Sequence, residues 1–381
     1  MRFSILFISF FLMMSTNIKA QKTDLFKWGE LAPIPDPFGF AGSFAGISNN
    51  ALIVAGGANF PDGGAPWTGS KKVWTDKIFV LDHPTGKWKQ IAKLGQPLGY
   101  GVSITYKNEL ICIGGSNAEG HVPSMFGINY YPNGNVEFEV WPDLPTKLAN
   151  ACGAVVGHTL YIAGGLLVSD ANSTASVFLS IDLASQNPKW TKLETWPGPP
   201  RMLSVAGSLN GSFYLFSGTD LEDKNGAAHR KYLKDAYAYT PGKGWKKLAD
   251  LPSPVVAAAG PALAYGKNEL LVFGGDDGVL ADNASTLKEK HPGFSDAILS
   301  YQIITNKWNI AGHIKTHKLA DAAENPNKSL WAPVTTTSVS WHGDLVFPGG
   351  EVRPAVRTPR VLVAHIKTSP LINKDTNGIK K

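Results

Sequence analysis

Six short apolar runs, each ending in a glycine pair or its near equivalent, recur along the 381 residues of this chain. Each run is rich in β-branched or aromatic residues and follows turn-forming residues such as Asn49-Asn50, which is the pattern of a strand bounded by turns. The runs cover residues 51–57, 109–115, 159–165, 212–218, 269–275 and 344–350. This recurrence predicts a repeat array in which every unit contributes one small sheet.

A tryptophan follows each of the first five glycine pairs after about 25 to 33 residues, a spacing that fits one four-stranded blade. These tryptophans are Trp88, Trp141, Trp190, Trp245 and Trp308. The sixth glycine pair has no such tryptophan after it, whereas Trp28 near the start of the chain has no glycine pair before it. We therefore expect the N-terminal strand to complete the last blade, which closes the ring and removes its free edges.

Segments rich in small residues precede the glycine strands, as in residues 41–46, 151–155, 204–207 and 257–260. Small side chains suit the innermost strand of each blade, because these strands crowd around a central axis, whereas large aromatic side chains pack between blades. The 40 glycines and 26 prolines suit many short strands and turns. The sequence thus predicts an all-β fold, a six-bladed β-propeller that forms one domain.

Residues 1–20 have a basic start, an almost wholly apolar stretch over residues 3–14 and an alanine, Ala20, at the expected cleavage point. They predict a signal peptide, since so short an apolar stretch does not span a bilayer. We expect an exported protein, periplasmic in a Gram-negative source and otherwise secreted, with no membrane segment after cleavage. The propeller is expected over residues 21–368, followed by a polar tail over residues 369–381.

The formal net charge of +6 is not arranged as a basic stripe interleaved with aromatic residues, so nucleic-acid binding is not expected. A mildly basic protein is compatible with an acidic small ligand. The nine histidines are scattered, and the closest pair, His313 and His317, lies in a lysine-containing segment, so no metal or other cofactor is expected. Cys112 and Cys152 lie in apolar strands, which favours buried free thiols, with a disulfide as the alternative.

One face of the predicted ring collects the charged residues that the repeats do not share. In an up-and-down blade, the loop after the second strand and the connection into the first strand open on the same rim. The last repeat places Glu351, Arg353 and Arg357 there, and propeller sites form where such loops converge over the channel. The same rule adds further candidate binding residues, namely Arg201, Asn59, Asn117, Asp276 and Tyr100.

These polar residues also have structural interpretations. An exposed glutamate beside an arginine is usually a solvated ion pair of under ~1 kcal/mol, and Asp276 with the following Asp-Gly is a turn signal. Arg201 follows a proline-rich segment and would pin a loop. The pattern favours Glu351 with Arg357 for function over the other candidates. Residues 276–294 lengthen the fifth repeat and form either a lid over the site or a plain surface loop.

The repeats resemble the kelch motif, and the chain after its signal resembles the kelch-type N-acetylneuraminate epimerases, also called sialic acid mutarotases. The resemblance rests on residues 44–58, 100–115, 196–201 and, most specifically, Gly-Glu-x-x-Pro-x-x-Arg-Thr at 350–358. The blades come in a circularly permuted order relative to the better known branch, and the fifth-blade insertion is shorter here. A closed ring tolerates such a permutation, because all but one connection is preserved.

The resemblance implies that Glu351 is the proton acceptor, that Arg357 is important for catalysis and that Arg201 matches a family position. It implies a sugar-acid substrate, N-acetylneuraminate (sialic acid), and interconversion of its α and β anomers by ring opening and reclosure without a cofactor. General base catalysis of this kind contributes ~10²–10⁴-fold, and an arginine can hold the substrate carboxylate bidentately. The acid that protonates the ring oxygen is left open between Tyr100, a histidine and water.

Other functions compete with this one. A kelch propeller can be a non-catalytic module that binds a carbohydrate or a protein, or a mutarotase for another acidic or N-acylated sugar. Kelch propellers also include copper-radical oxidases, but that chemistry needs a cysteine-linked tyrosine with histidine ligands, and neither Cys112 nor Cys152 is expected in a rim loop.

Overall fold

The computed structural model describes residues 25–224 and 226–367. Within them the chain forms six four-stranded antiparallel sheets, and in each sheet the strand before the glycine-pair strand lies at one edge and the strand that contains or adjoins the repeated tryptophan lies at the other. This arrangement confirms the six-bladed β-propeller. The predicted signal peptide and the predicted polar tail lie outside the described residues.

The blades are numbered in chain order, and the strands of each are called a to d from the channel outward. They are Phe44–Ser48, Ala51–Ala55, Lys77–Leu81 and Lys89–Lys93 in blade one; Val102–Tyr106, Glu109–Ile113, Met125–Tyr130 and Val136–Val140 in blade two; Cys152–Val156, Thr159–Ala163, Phe178–Asp182 and Thr191–Lys192 in blade three; Val205–Leu209, Ser212–Phe216, Ala236–Thr240 and Gly244–Lys247 in blade four; Ala259–Tyr265, Glu269–Gly275, Ser295–Gln302 and Lys307–His313 in blade five; and Val339–Trp341, Asp344–Pro348, Val361–Ile366 and Phe26–Leu31 in blade six.

The N-terminal strand Phe26–Leu31 is strand d of blade six, so the predicted ring closure is confirmed. It pairs antiparallel with Val361–Ile366 over its whole length, with Phe26 opposite Ile366. The buried Phe26 ring also packs 5.5 Å from the ring of Phe273 in blade five. The strand therefore joins the two ends of the chain and also seals one interface between blades.

The tryptophans predicted at the outer strands link neighbouring blades. The indole N–H of Trp88 donates to the carbonyl of Ala32, 2.7 Å away, and Trp245 and Trp308 donate likewise to carbonyls of the preceding blade. The apolar part of each indole ring is therefore buried between two sheets, while its N–H donates to a backbone carbonyl and is not left unpaired. The predicted placement of large aromatic side chains between blades is confirmed.

The glycine pairs dock each blade against the next. Gly164 has a φ of +70°, and a Cβ there would lie 2.3 Å from the carbonyl oxygen of Arg201, which also accepts a hydrogen bond from the Gly165 N–H. In the fourth unit Ser217 replaces the first glycine at φ +54°, while Gly218 keeps φ +105°. The first position therefore accepts a side chain only where the neighbouring backbone leaves room, as at Ser217, whereas the wider φ of the second position favours glycine throughout.

A closed ring of six backbone hydrogen bonds surrounds the channel mouth. One residue from the entry into each strand a donates its N–H to the carbonyl of its neighbour at 2.7–2.9 Å, and all six have φ between +53° and +67°. The six are Gly42, Tyr100, Asn150, Leu203, Ala257 and Thr335. This ring fixes the relative positions of all six blades at the rim where the candidate residues lie.

Short hairpins and single-turn helices lie on this rim. Two-stranded hairpins follow strand b in four blades, and they are Ala58–Asn59 with Val73–Trp74, Ser116–Asn117 with Gly120–His121, Thr219–Lys224 with Ala227–Tyr232, and Glu351–Arg353 with Val356–Arg357. Over residues 25–224 and 226–367 the helices are single turns, namely the 3₁₀ helices Pro66–Thr68, Ala281–Asn283, Lys288–Lys290 and Pro326–Lys328 and the α-helix Ala284–Leu287. In the part of the chain that the structure describes, no helix has the length and apolar character needed to cross a membrane.

Candidate active site

The position directly after each glycine pair pairs with the residue entering strand a of the same blade. One such isolated bridge occurs in every blade, and the bridges are Ala41 with Ala58, Gly99 with Ser116, Ala149 with Leu166, Met202 with Thr219, Val256 with Asp276 and Val334 with Glu351. The bridges bring the b–c loops and the entries into strand a onto one rim, as the repeat pattern predicted. Glu351 therefore occupies a sixfold-repeated backbone position, at which Asp276 of blade five is the other carboxylate.

The hairpin after this position sets Glu351 beside Arg357. The two residues lie directly opposite each other in the register of strands Glu351–Arg353 and Val356–Arg357, where side chains share one face. Oε1 of Glu351 accepts a hydrogen bond from the backbone N–H of Ala355 at 2.8 Å and lies 3.9 Å from Nη1 of Arg357. The side chain of Glu351 remains 21% exposed, so one face of the carboxylate is open.

Arg357 is a buried cation with unused donors. Its side chain is 6% exposed, and its guanidinium lies 4.8 Å from the centre of the Phe60 ring. Nη2 donates to the hydroxyl of Tyr100 at 3.4 Å, whereas Nε and Nη1 have no hydrogen-bond partner. Burial disfavours the charge, but Glu351 and Tyr100 together outweigh this effect and raise the pKa of Arg357. Because buried donors are normally satisfied, the two free nitrogens mark a place for ligand oxygens.

Tyr100 reaches Arg357 from the hydrogen-bonded ring at the channel mouth. Its ring lies over Gly42, where a Cβ would come within 2.6 Å of it. Burial raises the pKa of Tyr100, with Arg357 opposing the effect. Two residues of the blade-one loop complete this side of the site, since the ammonium of Lys72 lies 4.4 Å from the ring centre of Trp74 and 4.9 Å from that of Tyr100.

A cavity of about 540 Å³ opens beside Arg357. Its aromatic wall comes from Phe38, Phe60 and Trp67, and its other walls come from residues 323–328 and from Glu289 of the fifth-blade insertion. The central channel beneath the backbone ring holds a smaller cavity of about 110 Å³, which Tyr100 lines. The contact between Arg357 and Tyr100 therefore lies where the large cavity meets the channel mouth.

Arg353 fixes the walls of this cavity. It is 3% exposed and donates to the carbonyls of Glu289, Ala322 and Ala323 at 2.5–3.1 Å. Oε1 of Glu289 accepts the indole N–H of Trp67 at 2.7 Å, which ties the insertion to the blade-one loop. The insertion thus forms one wall of the cavity, and the connection before blade six, which the sequence analysis overlooked, forms another.

Arg201 lies away from this cluster. Its side chain is completely buried, and it holds Asp235 in a two-pronged ion pair with nitrogen–oxygen distances of 2.9 and 2.6 Å. Its Nη1 also donates to the carbonyl of Ser217, and its guanidinium faces the Trp196 ring. The side chain has no exposed surface, and its contacts join blades three and four.

The remaining candidates hold loops in place. Asn59 is buried and donates to the carbonyl of Gly39 and to Asp36. Asn117 donates to Gln96 at 3.0 Å and accepts the N–H of Glu119 in a turn. Asp276 accepts the hydroxyl of Tyr232 at 2.6 Å and the N–H of Gly278. The structure therefore brings only Glu351, Arg357 and Tyr100 of the candidates into one cluster.

Sequence reasoning missed Phe60, Lys72, Trp74 and His121 because it followed only the residues soon after the glycine pairs and those leading into strand a. The length of the loop between Gly57 and strand c of blade one, with its aromatic residues, was the available signal. Both described cysteines are buried free thiols in inner strands, and Cys152 lines the channel cavity that Tyr100 also lines. Burial raises the pKa of the Cys152 thiol to about 12.

The fold and the cluster define a six-bladed propeller whose rim bears a carboxylate and a buried guanidinium beside a ligand-sized cavity. The family model of N-acetylneuraminate epimerase (NANM) matches residues 14–133 and 141–373, most of the chain. The chain therefore belongs to the N-acetylneuraminate epimerase family.

Three relatives named N-acetylneuraminate epimerase illustrate the similarity. The protein of Haemophilus influenzae strain PittEE is 28% identical over 240 residues, 58% of each chain. That of Brucella melitensis biotype 1 is 26% identical over 253 residues, 60% of each chain. That of Salmonella enteritidis PT4 is 43% identical over 90 residues, 22% of this chain and 23% of its own. The matches thus span less than two thirds of these relatives' length.

Proposed function

We propose that this protein is a sialic acid mutarotase of the kelch type, which interconverts the α and β anomers of N-acetylneuraminate. The observation that carries the proposal is the pair formed by Glu351 and Arg357, of which Arg357 lines the large cavity. One carboxylate with an open face and one buried guanidinium with two free nitrogens are the groups that this reaction needs. Membership of the epimerase family supports the same conclusion.

Arg357 orients the substrate. The guanidinium has Nε and Nη1 without a partner, and each of them can form a two-bond fork to a carboxylate together with Nη2, which donates only a long bond of 3.4 Å to Tyr100. N-acetylneuraminate carries its carboxylate on the anomeric carbon, so this contact places the reacting centre beside Glu351, whose Oε1 is 3.9 Å from Nη1 of Arg357. The rest of the sugar then extends into the cavity against Phe60 and Trp67.

Glu351 acts as the base. It takes the proton of the anomeric hydroxyl, the bond from the anomeric carbon to the ring oxygen breaks, and the ring opens to a ketone. Rotation about the bond beside the ketone and reclosure on its other face give the opposite anomer. The bond from the Ala355 N–H holds the carboxylate in place for this proton transfer.

The test is two-dimensional NMR exchange between the anomers of N-acetylneuraminate with the purified protein. We expect wild type to accelerate exchange, and Glu351→Gln to lower kcat by about 10²–10⁴-fold because an amide cannot take the proton. Glu119→Gln, which changes an exposed glutamate on the same rim, is the matched control and should keep full activity.

Two results would contradict this function. Wild-type protein that leaves anomer exchange at its spontaneous rate would favour a binding module instead. If the protein accelerates the mutarotation of glucose, which has no carboxylate, as strongly as that of N-acetylneuraminate, Arg357 does not select the substrate. If it accelerates only the mutarotation of another acidic sugar, the substrate differs but the chemistry is the same.

We further propose that the protein is exported after cleavage behind Ala20. The support is the basic, apolar and small-residue order of residues 1–20. The mass of the protein recovered outside the cytoplasm checks this, since cleavage leaves a chain that begins at Gln21.

A further inference from the structure

A second cation, Lys72, stands over the same site from the blade-one loop. Its ammonium lies over the faces of Trp74 and Tyr100, at 4.4 and 4.9 Å from the ring centres, and the two rings meet edge to face at 6.4 Å. Ring faces attract a cation through their quadrupole and so fix the ammonium in direction. Tyr100 is also the hydroxyl that Arg357 contacts, so Lys72 and Arg357 flank one aromatic ring.

Unused polar atoms concentrate around this lysine. Among the described residues, eight buried side-chain nitrogen or oxygen atoms have no hydrogen-bond partner, and five of them belong to Trp74, His121 and Arg357. His121 is 7% exposed, and its pKa is lowered mainly by burial and to a smaller extent by the charge of Lys72. The backbone of Val168 partly opposes the lowering of the His121 pKa, but neither ring nitrogen of His121 has a hydrogen-bond partner. A ligand rich in oxygen atoms would satisfy this donor set.

We propose that Lys72 supplies the proton that the ring oxygen takes when the sugar ring opens. The inference rests on the mutarotase function proposed above and assigns the acid that complements Glu351. Lys72 is a side chain with a transferable proton, exposed enough to meet a substrate, and seated on Tyr100 beside the guanidinium that would hold the substrate carboxylate.

Each proton that moves in this step has a donor and an acceptor. Glu351 takes the proton of the anomeric hydroxyl as the carbon–oxygen bond of the ring breaks, and the electron pair of that bond goes to the ring oxygen. The ring oxygen takes a proton from the ammonium of Lys72, which leaves a ketone, a neutral amine and a protonated Glu351. Reclosure returns both protons to their original groups, so no co-reactant is consumed.

The neighbouring groups suit this role less well. Tyr100 already accepts a hydrogen bond from Arg357, and burial raises its pKa, which makes it a weaker acid. Burial lowers the pKa of His121, so its imidazole is neutral near pH 7. Burial and the charge of Arg357 lower the pKa of Lys72 from its ordinary value of 10.5, while Glu351 opposes the shift, and a lower pKa makes the ammonium a stronger acid.

The experiment compares Lys72→Met, Lys72→Arg and the control Lys71→Met by anomer exchange of N-acetylneuraminate over a range of pH. We expect Lys72→Met to lower kcat by about 10²-fold or more with a KM changed less than about fivefold. Lys72→Arg keeps the charge but cannot release a proton in this range, so it should not restore kcat. Lys71→Met, which removes an exposed neighbouring lysine, should match wild type.

The pH profile gives an independent readout. If the ammonium is the acid, kcat of wild type falls on the alkaline side as Lys72 loses its proton, and this fall is absent from the residual activity of Lys72→Met. The charged and titratable groups that face Lys72 are Glu351 and Arg357 from blade six and Tyr100 and His121 from blade two. Of these, Tyr100 titrates above its ordinary range.

The outcomes separate the two proposals. Wild-type kcat in Lys72→Met, or full recovery in Lys72→Arg, would overturn the acid role of Lys72 while the mutarotase function stands. A raised KM with unchanged kcat in Lys72→Met would overturn it also, because it would make Lys72 a binding residue alone. Failure of wild type to accelerate exchange would instead overturn the proposed function itself.

Discussion

At the residue scale, the charged side chains of the rim differ in how their polar atoms are satisfied. Arg201 bonds Asp235 and backbone carbonyls, and Arg353 holds three carbonyls with its Nε unpaired, whereas Arg357 has two unpaired nitrogens and makes one long bond, to Tyr100. A buried arginine with a matched carboxylate stabilises a fold only while both partners are present. An arginine with free donors beside a cavity is placed to bind a ligand.

This difference gives a prediction for Arg201. Arg201→Met should destabilise the protein by about 3–5 kcal/mol, because it leaves the carboxylate of Asp235 buried without its partner. Urea unfolding of the variant, of Asp235→Ala and of the double variant measures this, and the double variant should lose less than the sum of the singles. A variant of normal stability that binds sugar weakly would instead make Arg201 a binding residue.

The ion pair also has a pH dependence. Burial raises the pKa of Asp235, but the bonds from Arg201 outweigh it, and the net pKa lies below the ordinary value of 3.8. A carboxyl whose pKa is lower in the folded state contributes stability above its unfolded pKa and loses that contribution as the pH falls through the folded value. The contribution of this pair is therefore fully present at neutral pH.

At the element scale, the backbone ring at the channel mouth determines where the side chains of the candidate site can lie. Gly42 makes space for the ring of Tyr100, and Thr335 follows the residue that bridges to Glu351. One ring of hydrogen bonds thus connects blade two, which supplies Tyr100, to blade six, which supplies Glu351 and Arg357. Loop residues gain a fixed geometry from this shared element.

Gly42→Ala tests this connection. Its Cβ would lie 2.6 Å from the Tyr100 ring at a φ of +67°, so Tyr100 must move away from Arg357. We expect a loss of mutarotase activity of at least about tenfold together with a destabilisation of about 1–2 kcal/mol. The control Ala257→Gly, which relieves an alanine in the left-handed region of the same ring, should keep full activity. Full activity in Gly42→Ala as well would show that the position of Tyr100 does not matter.

At the scale of the whole molecule, closure of the ring depends on a strand from the opposite end of the chain. Strand Phe26–Leu31 forms a six-residue ladder with Val361–Ile366, and Phe26 contributes a buried ring against blade five. Without it, blade six would present an unpaired edge, and unpaired edges recruit other chains. The site lies in the same blade, so the closure also supports the hairpin that carries Glu351.

Deletion of residues through Leu31 should therefore lower the thermal midpoint and promote association. Loss of the buried Phe26 side chain alone costs about 3–5 kcal/mol. Reattaching residues 25–31 behind Lys367 through a short hairpin linker should restore the midpoint, because Phe26 lies opposite Ile366 and every strand contact can form again. Thermal unfolding and size-exclusion chromatography measure both variants, and a deletion variant as stable and monomeric as wild type would show that this closure is not required.

The sequence by itself determined the blade count, the ring closure and the rim, because these follow from local patterns that repeat: a β-rich run, a glycine pair and a tryptophan. It also singled out Glu351 and Arg357, which lie six residues apart in one hairpin. The family of the chain was recognisable from the motif around them.

Only the tertiary structure decided which charged residues are available to a ligand. Arg201 finds its carboxylate 34 residues away, and Tyr100 meets Arg357 across 257 residues of chain. The placement of Lys72 over Tyr100 likewise depends on how blade one packs beside blade two. A repeat pattern fixes backbone positions, but the partner of a charged side chain comes from a different blade, and that partner determines whether the charge is neutralised or remains free for chemistry.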